Sequence, residues 1–116
     1  MPSLVASLFR FLRQEEFLEV EVATDSGLTL RCGRALIVFD RLSRAVTRNG
    51  KLVSTFGSIQ RVRVAQEQLD NGRSVWSVNL RLSGSRAVQI GRLPDGTSAS
   101  TVAEKIGAIT RARVIA

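Results

Sequence analysis

The stretch that decides the fold is Arg44–Phe56, with the sequence RAVTRNGKLVSTF. Asn49 and Gly50 stand at its centre, and both residue types tolerate the positive φ angles of a two-residue type I′ turn. Extended segments lie on either side, Arg44–Arg48 before the turn and Lys51–Phe56 after it. The pattern predicts a β-hairpin, and therefore an antiparallel sheet in this part of the chain.

Segments with apolar residues at every second position surround this hairpin. Leu18, Val20 and Val22 predict a half-buried strand, and Trp76–Leu82 is the segment that alternates most cleanly. Turn residues such as Asp70-Asn71-Gly72 separate these segments. We expect seven or eight short antiparallel strands over residues 17–93, each with one buried face. That many short strands curl into a small barrel or form two packed sheets.

One helix is predicted at each end of the chain. Residues 1–13 read as a short amphipathic helix, for which three docking sites stay open: its own domain, a second copy, or a membrane surface. Residues 97–111 read as a longer amphipathic helix, begun by Thr97 or Ser98 as the N-cap. Gly107 lies inside it and is expected to permit close packing on the sheet. The apolar stripe of this second helix is Ala99, Val102, Ala103, Ile106 and Ile109.

The order of these elements resembles the pleckstrin-homology-like (PH-like) domain found in many small bacterial proteins of unknown function. The segments that carry the resemblance are Asp40–Arg48, Ser58–Val62, Val75–Arg86, Ile90–Arg92 and Ala103–Ile106. It covers about residues 17–112. It implies a mainly β (α+β) fold, a bent antiparallel barrel of seven to eight strands that the C-terminal amphipathic helix caps. The chain is then one domain over residues 1–116.

The best-known activity of that family is binding of phosphoinositide head groups by basic residues around the first hairpin loop. Here the first predicted loop, Thr24–Gly27, lies beside Glu19 and Glu21 and is acidic. If the N-terminal strand is an addition to the family fold, the corresponding hairpin is a later one. It then carries Arg31 and Arg34, or Arg41, Arg44 and Arg48.

Composition argues against an enzyme. The 116 residues include no histidine, no tyrosine and a single cysteine, Cys32, which alternates with Leu28 and Leu30 and is expected to be buried. The aspartates stand in predicted turns, where they serve the backbone locally. We therefore predict no catalytic residue, no metal site, no cofactor and no small-molecule substrate. The lone cysteine and the absence of a signal-peptide pattern predict a cytoplasmic protein, with a peripheral membrane position as the alternative.

The charge is unevenly distributed along the chain. The net charge is +7, and 15 of the 17 basic residues are arginine. Residues 1–25 hold two basic and five acidic residues, a net −3, whereas residues 26–116 carry +10. Guanidinium groups suit carboxylate and phosphate recognition. The candidate binding residues are Arg41, Arg44, Arg48, Arg61, Arg63 and Arg81.

These observations predict a docking or assembly module that binds a protein partner, or itself, through a strand edge, the groove beside the helix or an arginine-rich face. An anionic membrane surface is the alternative partner. Nucleic acid is a weaker one, because the five Phe and the single Trp mostly occupy apolar-face positions and leave no stacking platform. The competing interpretation is that the arginines pair with the acidic N-terminal strand or stay solvated.

Overall fold

The computed structural model describes residues 17–115, so the helix predicted over residues 1–13 lies outside the described residues. The first five strands are β1 (Leu18–Ala23), β2 (Gly27–Cys32), β3 (Ala35–Asp40), β4 (Ala45–Arg48) and β5 (Lys51–Thr55). A 3₁₀ turn follows, and then β6 (Ile59–Gln68), β7 (Ser74–Leu82), β8 (Ala87–Leu93), α1 (Gly96–Thr110) and β9 (Arg113–Ile115). The protein is mainly β, with a C-terminal helix.

The predicted hairpin around Asn49-Gly50 is confirmed. Asn49 has φ 51° and Gly50 has φ 81°, and Arg48 pairs with Lys51 across the turn. The side-chain Oδ1 of Asn49 accepts a hydrogen bond from the backbone N–H of Leu36 at 2.8 Å. The backbone N–H of Asn49 donates to the carbonyl oxygen of Leu36, also at 2.8 Å. Asn49 therefore adopts the positive φ angle that the turn requires, and its two hydrogen bonds with Leu36 hold the turn against β3.

The strands form two sheets, and the described part of the chain contains no closed barrel. The first sheet has the order β1-β2-β3-β4-β5, and the second has the order β8-β7-β6-β9. The 3₁₀ turn at Phe56–Ser58 makes the corner between them, and Phe56 is buried there. β9 runs parallel to β6, a pairing that alternation within a single segment does not predict.

The two sheets meet where β1 approaches β8. Leu18 is buried, and its side chain lies against Gly91 so closely that a Cβ on Gly91 would be 2.5 Å from Leu18 Cγ. Phe17 forms a parallel bridge with Arg92 just before this contact. Glycine at position 91 is therefore what allows the edge strand of one sheet to touch the other sheet.

The core lies between the inner faces of the sheets and α1. The helix contacts β6, β7, β8 and β9 of the second sheet and β2 and β3 of the first. Its buried residues are Ala99, Val102, Ala103, Ile106, Gly107 and Ile109. They include the whole predicted apolar stripe, so the helical periodicity is confirmed. Fully enclosed side chains from both sheets pack around them, among them Leu30, Ile37, Phe39, Val62 and Leu80.

The prediction that Leu18, Val20 and Val22 share a buried face is wrong beyond Leu18. Val20 is 38% exposed and Val22 is 50% exposed. β1 is an edge strand, and its register with β2 shifts between Val20 and Val22. Such a bulge turns the residues after it to the opposite face of the sheet. Val22 therefore lies opposite Thr29, on the outer face.

The helix begins one residue earlier than predicted, and its N-cap is Asp95 instead of Thr97 or Ser98. The Asp95 carboxylate accepts hydrogen bonds from the Ser98 backbone N–H at 2.7 Å and from the Ser98 hydroxyl at 3.0 Å. The backbone N–H of Ser98, followed by its hydroxyl, lowers the pKa of Asp95 below its ordinary value of 3.8. Arg111 ends the helix in the left-handed conformation, with its N–H bonded to the Gly107 carbonyl.

Gly107 does permit close packing on the sheet, as predicted. A Cβ at this position would lie 2.6 Å from Val114 Cγ2 of β9 and 3.1 Å from the carbonyl oxygen of Ala112. The helix continues through the glycine without a break. The gap left by the missing side chain is what lets β9 lie beneath α1.

Loss of the Asp95 cap is expected to destabilise the protein in a pH-dependent way. A carboxyl whose pKa is lowered by folding stabilises the folded state above its unfolded pKa, and that contribution disappears as the pH falls through the folded pKa. Asp95→Ala should therefore lower the thermal midpoint at pH 7, and the difference from the parent should narrow below pH 3.8. Asp70→Ala, in the exposed β6–β7 turn, is the matched control. A difference that stays constant from pH 7 to acid would contradict this role.

Substitution of Gly107 by alanine is expected to destabilise the protein, although alanine favours helix by about 1 kcal/mol. The added methyl meets Val114 and the Ala112 backbone, and overpacking of this kind costs roughly 1–3 kcal/mol. Chemical denaturation of Gly107→Ala measures the loss, and adding Val114→Ala should restore part of it. Gly57→Ala is the control, because a Cβ there meets nothing within 4 Å. Equal effects at the two glycines would rule out the clash.

Candidate functional site

Three arginines stand in one lateral row across three neighbouring strands. Arg61 of β6 lies directly opposite Arg81 of β7 on one side and opposite Arg113 of β9 on the other. Adjacent strands are about 4.8 Å apart, so the three Cα atoms span roughly 10 Å. Arg63 follows two residues along β6, on the same face as Arg61. We call these four residues the arginine row.

The register of β6 turns this row outward. Val62 and Val64 are buried in the core, so Arg61 and Arg63 between and before them point to the other face of the sheet. The pairing of β6 with β7 shifts between Ile59 and Arg61, so the strand begins with a bulge or irregularity. Arg61, Arg63 and Arg113 are exposed and Arg81 is half-buried. The candidate residues Arg61, Arg63 and Arg81 thus all belong to the outer face of the second sheet.

None of the four guanidinium groups has a carboxylate partner in the described part of the chain. The ion pairs found over residues 17–115 are Arg31 with Glu21 and Arg92 with Glu67. Arg31 does pair with the acidic strand β1, and this pairing raises the pKa of Arg31. Of the competing interpretation, pairing with the acidic N-terminal strand is thus found for Arg31, whereas the guanidinium groups of the arginine row have no carboxylate partner among residues 17–115.

The row carries an energetic cost. Like charges directly opposite each other on neighbouring strands are destabilising by a few tenths of a kcal/mol up to about 1 kcal/mol. Arg61 is opposed by a second arginine on both sides. A sheet selected for stability alone would place threonine or an opposite charge at one of these positions. Among residues 17–115 no ion pair offsets this cost.

The other three candidate arginines are not part of this site. Arg41 and Arg44 lie in the turn between β3 and β4, whereas Arg48 is at the opposite end of β4 beside the Asn49-Gly50 turn. The predicted cluster of these three residues at one hairpin is wrong, because the length of β4 separates them by about 13 Å. Arg113 is the residue that sequence reasoning missed as a ligand. The β-branched pair Val114-Ile115 beside it is too short to predict a strand.

The far end of the same sheet face is electrically balanced. Arg92 Nε donates to Glu67 Oε2 at 2.9 Å. Glu67 lies opposite Val75 and Arg92 lies opposite Ser77, so the ion pair crosses over β7. This explains why Val75 and Ser77 are buried although they belong to the outer face. The uncompensated charge is confined to the end that holds the arginine row.

A shallow cleft of about 440 Å³ adjoins the row at the edge of the second sheet. It is lined by Arg61, Arg63, Val64, Ala65, Gln66 and Ile115. β9 pairs with β6 from Arg61 to Arg63 only, whereas β6 continues to Gln68. The edge of β6 from residue 64 to residue 68 therefore has no strand partner within the described residues. The cleft continues the line of β9 along the edge of β6.

A larger open concavity of about 950 Å³ lies at the β1–β8 seam, beside the β6–β7 turn. Phe17, Cys32, Leu69, Arg73 and Arg92 are among its lining residues. Cys32 is half-buried and packs against the core, which is less burial than the sequence predicts. Among residues 17–115, no three acidic, cysteine or histidine side chains are grouped so that they could hold a metal ion.

The arginine row can bind an anion but cannot move a proton. Guanidinium groups stay protonated in proteins and offer only donors, in a planar fork that matches carboxylate or phosphate oxygens. The side chains around them, such as Asn79 and Ala65, supply no nucleophile. Asn79 itself donates to the Ser77 hydroxyl at 2.9 Å. The chemistry of the site is recognition.

Comparison of the chain with protein-family models, with curated proteins and with solved structures found no match. Within the described residues, no helix combines the length and apolarity needed to cross a bilayer.

Removal of the central charge is expected to stabilise the protein. Arg61→Thr relieves repulsion with both Arg81 and Arg113 and adds a good strand former, which should raise the free energy of unfolding by roughly 0.5 kcal/mol. The gain should shrink in about 1 M salt, because screening shortens the range of the repulsion. Arg63→Thr is the matched control, since Arg63 lies opposite Asn79 and Ile115. Urea denaturation at low and high salt distinguishes the two, and a larger gain at Arg63 would show that repulsion within the row is not the cause.

Proposed function

We propose that this protein is a non-enzymatic docking module with a PH-like arrangement of two sheets and a C-terminal helix, which binds an acidic, extended segment of a protein partner. The single observation that carries the proposal is the arginine row: three of its four guanidinium groups are directly opposed, and none has a carboxylate partner among the described residues. The site is the row together with the adjoining edge of β6. The predicted cytoplasmic setting belongs to the same proposal.

An extended protein segment fits this site because the free edge of β6 lies next to the positive charges of the arginine row. Backbone groups along the unpaired part of β6 offer a ladder to which another strand can be added. In such a strand every second side chain faces the same way, about 6.7 Å apart. Because β9 occupies the edge of β6 at residues 61 to 63, the acidic side chains that reach the arginine row belong to the end of the added segment nearest Arg63, where charge-assisted bidentate hydrogen bonds are strong.

The described surface supports a protein segment over the two alternative partners. A membrane surface takes up exposed apolar anchors, but the large exposed hydrophobic residues lie elsewhere, at Val20, Val22, Leu42, Leu52 and Leu69. Single-stranded nucleic acid takes up stacking aromatic rings. Trp76 is half-buried and packs against the core. The outer face of the second sheet offers arginines beside Asn79 and Ala65 instead.

Binding of defined probes tests this proposal. An eight-residue peptide of alternating Glu and Thr should bind the protein at low salt, and a Lys-Thr peptide of equal length should not. Charge reversal of the row, Arg61→Glu with Arg63→Glu, should weaken the binding at least about tenfold, since two charged contacts become repulsive. Arg41→Glu with Arg44→Glu is the matched control, with the same charge change in the β3–β4 turn, and should weaken it less than about threefold.

Fluorescence anisotropy with labelled peptides gives the dissociation constants, in parallel with anionic vesicles and a single-stranded oligonucleotide. Equal loss of peptide binding in the two charge-reversed proteins would reject the arginine row as the site and leave only a net-charge effect. Binding of the vesicles or the oligonucleotide through the row, without binding of the peptide, would assign the surface to one of the alternative partners.

A further inference from the structure

The concavity at the β1–β8 seam offers an apolar surface that the described chain leaves partly exposed. Its apolar lining includes Phe17, Leu69, Val75 and Pro94, and Leu69 is 36% exposed. A volume of about 950 Å³ corresponds to roughly 10 Å in each direction, which is the diameter of one α-helix with its side chains. The concavity, which we call the seam concavity, is therefore large enough to receive a short helix.

The described chain begins at the edge of this concavity. Phe17 is the first described residue, lines the seam concavity and is half-buried. The apolar residues that precede it are Leu4, Val5, Leu8, Phe9, Phe11 and Leu12. The sequence predicts that they form one face of an amphipathic helix, and a helix this short needs a surface on which to dock. The seam concavity is the apolar surface closest to it along the chain.

We propose that residues 4–12 of the same chain pack into the seam concavity. Of the three docking sites that the sequence leaves open, this one is the segment's own domain, and the proposal names the surface. Gln68 of the seam concavity and Arg61 of the arginine row are seven residues apart on β6, a distance of roughly 23 Å. The two surfaces are separate, so packing of the segment does not depend on binding of an acidic partner.

The pairing of Phe17 directs the preceding residues into the concavity. Phe17 forms a parallel bridge with Arg92 of β8, so the residues before Phe17 run beside the residues before Arg92. Gly91 and Gln89 lie in that direction, and both line the seam concavity. β8 is an edge strand, and β7 is its partner in the sheet. The side of β8 along which the chain runs back is therefore available within the described residues.

The connection is long enough for the segment to reach across the concavity. Residues 13–16 link Leu12 to Phe17 and span up to about 14 Å when extended. This length exceeds the width of the seam concavity, which is roughly 10 Å. Nine helical residues are about 13 Å long, so residues 4–12 also match the concavity in size.

Charge complementarity favours the same placement. Glu15 and Glu16 stand immediately before Phe17 in the sequence. Arg73 lines the seam concavity, and neither of the ion pairs found over residues 17–115 includes it. Two carboxylates next to the point of entry thus meet a guanidinium group that has no carboxylate partner in the described part of the chain.

The reactivity of Cys32 tests the proposal in the full chain. Cys32 lines the seam concavity and is the single cysteine of the protein, so a label reports on this place alone. Leu8→Asp with Leu12→Asp places charges on the apolar face of the segment. This variant should speed alkylation of Cys32 by iodoacetamide at least about tenfold, because the segment no longer covers the concavity.

Ser3→Asp with Ser7→Asp is the matched control, because it makes the same charge change on the polar stripe of the segment. It should alter the alkylation rate less than about twofold. Intact-mass spectrometry gives the rates, and circular dichroism shows that the sheets are formed in both variants. Equal alkylation rates in the parent and in the Leu8→Asp, Leu12→Asp protein would overturn the proposal.

Disulfide trapping locates the segment independently of its stability. Cysteine is introduced in turn at Leu4, Leu8 and Leu12 of the full chain, and at Ser3 and Ser7 as controls, in a glutathione redox buffer. A disulfide with Cys32 requires two Cα atoms within about 7 Å of each other. At least one of the leucine positions should give a bridge within one chain, in higher yield than either serine position.

Non-reducing electrophoresis separates the outcomes of the trapping experiment. Bridges that form only between two chains would assign the segment to a second copy and overturn the proposal. Absence of any bridge to Cys32 would overturn it as well. In both cases the arginine row remains available for its own test with the acidic peptide.

Discussion

The packing of Val62 between Leu80 and Val114 is the interaction on which the rest of the structure depends. Val62 and Leu80 are completely buried, and Val114 packs against the same core. These residues lie opposite one another across β7, β6 and β9. Because side chains alternate between the faces of a strand, burial of this row forces the adjacent row of side chains to the outer face. The adjacent row consists of Arg81, Arg61 and Arg113. The strand register that buries the core residues therefore also places the arginines outside. A shift of β6 by a single residue would turn its arginines inward and its valines outward.

Local sequence signals were enough to predict the central hairpin and the helix, but not the arginine row. Asn49-Gly50 determines its hairpin through the φ angles of two adjacent residues, so the sequence predicts it correctly. The stripe of α1 is equally local. The arginine row joins residues 61 and 113, which are 52 positions apart in the chain. Their proximity depends on β9 reaching β6, and β9 is a three-residue strand that no periodicity reveals. For the same reason the sequence groups Arg48 with Arg44, its neighbour in the chain, although β4 holds them apart.

Bulges explain the remaining disagreements. Simple alternation predicts that Val20 and Val22 share a face, and one extra residue in β1 separates them. A second shift in β5 turns Leu52 outward while Ser54 stays buried. Both bulges are at the edges of the first sheet, where they increase the twist and also discourage edge-to-edge pairing. Their combined effect is to complete an uncharged row on the outer face, in which Val22 and Leu52 lie at the two ends. The outer face of the first sheet thus combines this row with the charges of Glu19, Arg31 and Asp40, whereas the outer face of the second sheet carries the arginine row.

The helix links the core to the basic face through its closest contact. Gly107 of α1 lies against Val114, the residue that follows Arg113 in β9. Arg61 and Arg81 are held by the long pairing of β6 with β7, whereas Arg113 belongs to a strand with three pairs to β6 that packs against the helix at Gly107. Stability of β9 is therefore local, and this strand is the part of the arginine row most easily lost. A partner strand added along β6 would extend the ladder beyond β9 and reinforce it. Binding of an anion and ordering of β9 are accordingly expected to favour each other, because both bring the third guanidinium group into place.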